Sequence, residues 1–207
     1  MTGSSHKTFP GPQGGFLLSS SEDETFHRRL NNAMFPGVCS SYHLHHVAGK
    51  VMALAEFMEY GEAYATDIVS NARAFAGALA AEGFDVLAES RGYTASHQVL
   101  TRHGELDSGA GAKAAQRLEE AGIITNMNML PGDTKAMTPS GLRLGVQELT
   151  RVGFSNDDME EVASFYARVL LHGEDPAAVR ADVHALKQQR QTIRYCFNED
   201  ERSGYPE

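Results

Sequence analysis

The chain is short of cysteine: Cys39 and Cys196 are its two thiols. Placed so far apart, they form neither a disulfide framework nor a zinc-ligand spacing, which leaves a reducing cytoplasm as the expected setting. No apolar run approaches the length that crosses a bilayer, so no membrane partner is expected. The opening residues, Met-Thr-Gly-Ser-Ser-His-Lys, lack the charged start and apolar core of a secretory signal. Basic charge is scarce as well: 18 Lys and Arg stand against 27 acids, a formal charge of -9. That balance opposes a nucleic-acid or anionic-membrane surface, because phosphates would be repelled on average. Internal repeats and low-complexity blocks are missing too.

What is present reads as an ordinary folded chain. The stretch Met1 to Ser20 is rich in Gly, Ser, Pro and Thr and reaches a short apolar run at Gly15-Phe16-Leu17-Leu18. It suggests a loop leading into a short buried strand. A polar helix over about Glu22 to Asn31 follows, its Glu22-Asp23-Glu24 start favoured by the macrodipole, and then a loop at Phe35-Pro36-Gly37. Val47, Val51, Leu54, Ala55 and Met58 recur at helical spacing, and so do Tyr64, Ile68, Ala72, Phe75 and Leu79. These predict one helix from about His45 to Phe57 and another from about Gly61 to Ala81, stopped at Gly83. Strands are expected at Phe84–Leu87, His97–Leu100, from Ile123-Ile124 and at Ser140–Val146, with a helix over Ala110–Ala121. Ser155 with Asp158, and Asp175 with Pro176, mark two further helix starts. Helices on a short mixed sheet give an α/β or α+β class. We place a domain boundary near Ala81: residues 1–81 as the remnant of one domain with a connecting helix, 82–196 as a smaller domain, and 197–207 as a polar tail.

Few residues carry candidate chemistry. Lys7 lies among small residues and glycine backbone, in Ser4-Ser5-His6-Lys7-Thr8 and then Pro10-Gly11-Pro12-Gln13-Gly14-Gly15. It is either a solvated terminal lysine or an amine able to attack a carbonyl beside a flat or phosphorylated ligand. Arg143 sits between Leu142 and Leu144 on an alternating strand and so points away from them. It is either solvent-facing or a fork for a carboxylate. His43, His45 and His46 occupy different helix faces with no matching carboxylate or cysteine, so no metal site is expected. Asn126 and Asn128 either present amides at a strand end or satisfy their own turn.

Taken together, Ser5-His6-Lys7-Thr8-Phe9-Pro10-Gly11-Pro12-Gln13-Gly14-Gly15 resembles the pyridoxal-phosphate lysine segment of serine hydroxymethyltransferases. Phe35-Pro36-Gly37, Ala48-Gly49-Lys50, Asn126-Met127-Asn128, Ser140-Gly141-Leu142-Arg143-Leu144-Gly145 and Thr150-Arg151-Val152-Gly153-Phe154 follow in that family's order. The likeness runs from Ser4 to about Leu171. It implies an α/β fold of the fold-type I pyridoxal-phosphate enzymes: the end of a large domain plus an α+β C-terminal small domain. It also implies a dimer or tetramer that exchanges a one-carbon unit between serine, glycine and tetrahydrofolate.

By that resemblance Lys7 carries pyridoxal 5'-phosphate, His6 lies beside the cofactor phosphate, Arg143 binds the amino-acid carboxylate and Asn128 contacts the folate pterin. Ser40-Ser41 stand where the family has a glycine pair facing the phosphate across a dimer interface, Gln13 replaces an arginine and Met127 a lysine. These departures suit a divergent relative, such as a folate-independent aldolase or threonine transaldolase, or an α-methylserine enzyme. The family carries a long segment ahead of its lysine, with the pyridine-pairing aspartate, the ring-stacking histidine and the catalytic glutamate. The expectation is a chain inactive alone and completed by an N-terminal half. A noncatalytic remnant or interaction subunit is the competing reading.

Overall fold

The computed structural model describes residues 1–198, so the end of the expected polar tail lies outside the described residues. The chain divides into two compact units, Met1–Gly61 and a second beginning at Glu62. Among the described residues no helix is long and apolar enough to cross a membrane.

In the first unit, β1 (Thr2–His6) and β2 (Pro10–Leu17) form an antiparallel hairpin, paired from Thr2↔Leu17 to His6↔Pro10 with an irregularity between Ser4 and His6. A stretch read as loop is therefore mostly strand. Pro10 stands at the first position of β2, where a missing N–H is tolerated, and Pro12 lies two residues further along the same strand. Ser5, at the irregularity, is fully buried and donates its hydroxyl to the Pro12 carbonyl at 2.7 Å. Helix α1 (Glu24–Asn32) starts at Asp23, whose carboxylate accepts from the Thr25 N–H at 2.8 Å. Residues Ala33–Val38 then make irregular helical turns with a kink at Phe35, whose backbone is extended at φ -134 and ψ 122, where a loop was expected.

Helix α2 (Leu44–Ala81) is one element of 38 residues rather than the two expected. Gly61 does not break it: a glycine inside a helix costs only about 1 kcal/mol, and the Phe57 ring packs 3.1 Å from where a Cβ would stand. At its start α2 lies close to the hairpin, since a Cβ on Gly49 would meet Pro12 at 3.1 Å. The stripe Val47, Val51, Leu54 and Met58 is 44%, 61%, 53% and 89% exposed. Its helical spacing is as read, but within its own unit nothing covers it.

In the second unit the continuing stripe, Tyr64, Ile68, Ala72, Phe75 and Leu79, is the core. Phe75 meets the Tyr166 ring edge-on at 5.4 Å. Asn71, buried, donates to the Thr150 hydroxyl at 2.9 Å and to the Phe154 carbonyl at 3.1 Å. Gly83, at φ +100, ends the helical run as expected. Strands β3 (Asp85–Val86), β4 (Gln98–Arg102), β5 (Asn126–Asn128) and β6 (Gly141–Gly145) make an antiparallel sheet in the order β3-β4-β6-β5. The mixed sheet expected from sequence is thus wholly antiparallel. Ile123-Ile124 stays outside it, with Ile124 88% exposed, because pairing with β6 begins only at Asn126.

Helix α3 (Ala110–Glu120) packs on β5 and β6 and against α5 (Met159–Leu170) and α6 (Pro176–Gln189). The short α4 (Gln147–Arg151) follows β6. Both helix starts read from local signals are present. Ser155 and Asp158 form a reciprocal cap, and the Asp175 carboxylate accepts from the Ala177 N–H at 3.0 Å.

Candidate functional site

Lys7 occupies the turn of the hairpin, exposed, between the ends of β1 and β2. The turn is anchored by Phe9, whose ring lies 5.9 Å from Phe16 and 5.5 Å from Phe57. With the aromatic residue taken inward, the lysine amine is left outward. Beside it, the Gly14 N–H donates to Nδ1 of His6 at 3.3 Å, which couples the imidazole to the facing strand. Further along β2, Lys50 on α2 donates to the Gly15 carbonyl at 3.5 Å.

The His43, His45 and His46 rings crowd together with centroids 4.5 to 5.4 Å apart. Desolvation first, then the neighbouring His45, His43 and Lys50, hold the His46 pKa below its ordinary value, against a hydrogen bond that its ring donates to the Gln13 backbone carbonyl. This part of the unit therefore gathers imidazoles and amines. Ser40 and Ser41 lie in the exposed stretch before α2 and have no hydrogen bond among the described residues. The first unit thus sets His6 and Lys7 side by side.

In the second unit, β6 buries Leu142 and Leu144 and exposes Arg143, the alternation read from sequence. Across the ladder Arg143 stands opposite Leu100 on β4 and Asn126 on β5. Asn128, two residues along β5, shares that face. Its amide donates to the Met129 carbonyl at 2.6 Å, so part of its hydrogen-bonding capacity is spent locally.

Sequence reasoning missed His97, which precedes β4 and whose carbonyl accepts from the Val146 N–H at 3.2 Å. Burial, and then the charge of Arg143, hold its pKa below the ordinary imidazole value. No local signal marks a histidine at a strand start; only the pairing of β4 with β6 brings it toward the arginine.

The loop joining β5 to β6 is closed by Asp133. Its carboxylate accepts from the Leu130 N–H at 2.8 Å, the Asp107 N–H at 2.7 Å, and the Ser140 N–H and hydroxyl at 3.0 and 2.7 Å. Burial pulls its pKa upward, but these donors together hold it well below the usual carboxylate range. Chemically, the two units offer an outward amine beside an imidazole, and a sheet face bearing a guanidinium and two amides.

A family model described as serine hydroxymethyltransferase matches residues 1–166, which include both Lys7 and Arg143. The chain belongs to the serine hydroxymethyltransferase family. It is 55% identical over 202 residues to a serine hydroxymethyltransferase of Pyrococcus abyssi, covering 96% of this chain and 47% of that one. It is 44% identical over 207 residues to one of Thermoplasma acidophilum, covering 99% and 48%. Among solved structures it is similar to the L-threonine transaldolase from Pseudomonas fluorescens in its internal aldimine state. There the identity is 30%, the TM-score 0.86, and the coverage 98% of this chain and 46% of that one.

The chain therefore spans about half the length of the curated relatives it matches. The α/β architecture expected for a fold-type I pyridoxal-phosphate enzyme is the architecture of this family member. Membership in the serine hydroxymethyltransferase family implies pyridoxal phosphate as the cofactor.

Proposed function

We propose that this chain supplies the lysine and the carboxylate anchor of a pyridoxal-phosphate enzyme of the serine hydroxymethyltransferase type, completed by an N-terminal half. The observation that carries the reading is the family match across both the Lys7 hairpin and the Arg143 strand. An exposed amine on a turn, with an imidazole beside it and glycine-rich backbone opposite, fits covalent attachment of an aldehyde cofactor at Lys7.

When bound, the cofactor acts as an electron sink for the amino acid's α-carbon. The residues of this chain hold and orient. His6, Ser40 and Ser41 donate toward the cofactor phosphate, and Arg143 grips the substrate carboxylate bidentately, which fixes the bond to be broken. The substrate is a small β-hydroxy amino acid cleaved at its α–β bond. We assign residues 1–81 to the large domain and 82–196 to the small domain, and place the assembly in the cytoplasm as an oligomer.

Under the one-carbon reading Asn128 contacts the pterin of tetrahydrofolate. The likeness to a threonine transaldolase supports a second reading, a folate-independent aldol-type cleavage. Adding tetrahydrofolate to the complemented enzyme separates the two: formaldehyde-level carbon transferred to folate supports the first, and free or transferred aldehyde without folate the second.

The test is attachment rather than turnover. The chain is mixed with pyridoxal phosphate, with and without an N-terminal half from a family member, reduced with borohydride and mapped by peptide mass. A cofactor adduct on Lys7 that Lys7→Ala abolishes is expected. An adduct unchanged in that variant removes Lys7 from the chemistry, and no adduct under any mixing leaves a noncatalytic interaction subunit.

A further inference from the structure

Beside Lys7, β2 carries more backbone than β1 can pair. Ser4 stands across from Gly15 and His6 across from Pro10, so Ser5 alone faces Gly11, Pro12, Gln13 and Gly14. Bulges recur beside functional sites, where they re-aim a side chain. The backbone groups they free from the ladder need other partners, and here side chains supply them.

From β1, the buried Ser5 hydroxyl donates to the Pro12 carbonyl at 2.7 Å. From α2, the His46 ring donates to the Gln13 carbonyl, and Lys50, one turn on, donates to the Gly15 carbonyl at 3.5 Å. Between these two grips Gly14 turns both of its backbone groups to His6: Nδ1 lies 3.3 Å from the Gly14 nitrogen and 3.2 Å from its carbonyl oxygen. The imidazole therefore has a partner there whether Nδ1 accepts or donates. Gly14 is at φ +147, and a Cβ on it would stand 2.5 Å from the Lys50 ammonium. The absent side chain leaves Lys50 its place against this backbone.

We propose that Lys50 is a positioning residue for His6 and Lys7: from α2 it fixes the Gly14-Gly15 backbone on which the imidazole beside Lys7 is seated. Lys50 touches neither residue and acts through the bulge. The part that concerns Lys7 rests on the cofactor attachment proposed above; the part that concerns His6 stands without it.

Amide hydrogen exchange in the 15N-labelled 207-residue chain reads the Gly14 contact directly. Lys50→Leu should speed exchange of the Gly14 amide about two- to tenfold, the scale of one net hydrogen bond. The amides of Gly3 and Phe16, paired further along the same hairpin, should keep their rates. Lys50→Arg retains a cationic donor and should restore most of the protection. In the borohydride-trapped reaction with pyridoxal phosphate and an N-terminal half, the rate of adduct formation at Lys7 should fall about two- to tenfold in Lys50→Leu and recover in Lys50→Arg.

Gly14 exchange that Lys50→Leu leaves unchanged overturns the proposal. So does a gain in rate shared equally by Gly3 and Phe16, which makes Lys50 a support of the whole hairpin, or one that Lys50→Arg fails to reverse. If Gly14 responds but the parent chain forms no adduct on Lys7, the cofactor reading falls and the seating of His6 stands. If the parent forms the adduct and Lys50→Leu does not slow it, the part of the proposal that concerns Lys7 is overturned.

Discussion

Ser140 donates its hydroxyl to the Asp133 carboxylate at 2.7 Å, immediately before the strand that carries Arg143. The same carboxylate gathers backbone N–H groups from Leu130 and Asp107, so one side chain closes the loop between Asn128 and Arg143. Ser140 is fully buried, and Ser140→Ala leaves one carboxylate lone pair without its donor. A loss of about 1–2 kcal/mol in urea unfolding is expected, with an unchanged denaturant slope. Asp133→Asn should cost more than Ser140→Ala, since it exchanges an ionised acceptor of four hydrogen bonds for a neutral group that must turn a donor toward some of them. Equal or reversed losses would show that the loop is held elsewhere.

His103 supplies a pH signature. Its Nε2 lies 2.8 Å from the Thr101 hydroxyl and its ring 5.9 Å from that of Phe84. Burial lowers its pKa from 6.5 to about 4, with Asp85 opposing. The folded chain therefore keeps His103 neutral down to about pH 4, while the unfolded chain takes up the proton near pH 6.5. Between those values the unfolded state binds more protons, so stability is present above 6.5 and falls as the pH drops toward 4, by at most about 3 kcal/mol.

His97 and His46, also held below the ordinary value, act in the same direction. The lowered carboxylates hold their stabilisation above their unfolded values and lose it as the pH falls below them, from 4.5 for Glu174 and from 3.8 for Asp107, Asp133 and Asp158, so only Glu174 adds to the fall at the acid end of this window. His103→Gln should flatten the fall in urea-unfolding free energy between pH 6.5 and 4 relative to the parent chain, and leave the steeper acid limb in place. A profile of unchanged slope would remove His103 from that linkage.

Local chemistry was legible in the sequence and long-range pairing was not. The Leu142-Arg143-Leu144 alternation gave β6 and the outward arginine, and the Ser155–Asp158 and Asp175–Pro176 starts are short-range hydrogen-bond patterns that need no tertiary partner. The Lys7 hairpin escaped because glycine, proline and serine have poor strand propensity. Its strands form through register and through Phe9 packing on Phe16 and Phe57. The break assumed near Gly61 failed because one glycine is cheap inside a long helix. Lys7 and Arg143 could be named from their segments, but His97 becomes visible only once β4 lies beside β6.

Arg143 tests the carboxylate anchor directly. In the complemented enzyme, Arg143→Lys keeps the charge but loses the planar fork, so KM for the amino acid should rise about tenfold or more. Attachment of the cofactor at Lys7 should be unaffected, because the role proposed for the arginine is toward the substrate alone. Arg143→Ala should raise KM further. A variant that loses the cofactor adduct together with substrate affinity would mean that Arg143 serves the fold of its strand rather than the substrate.

The bare stripe on α2 makes a last prediction. Helical periodicity shows that Val47, Val51, Leu54 and Met58 share a face; it does not show that the same chain covers that face. Monomers seldom leave so much contiguous apolar surface in water, so the chain on its own should self-associate in sedimentation velocity as its concentration rises. Each fully buried aliphatic side chain is worth about 1.5–3 kcal/mol, so Val51→Lys with Met58→Lys should weaken that association by more than about tenfold. Both positions are exposed, and substitution there should change unfolding free energy by less than about 0.5 kcal/mol. If an N-terminal half docks on this face, the same pair of lysines should also lower the yield of cofactor adduct at Lys7 in its presence. Self-association and adduct yield that both ignore the lysines would place the contact surface elsewhere on the chain.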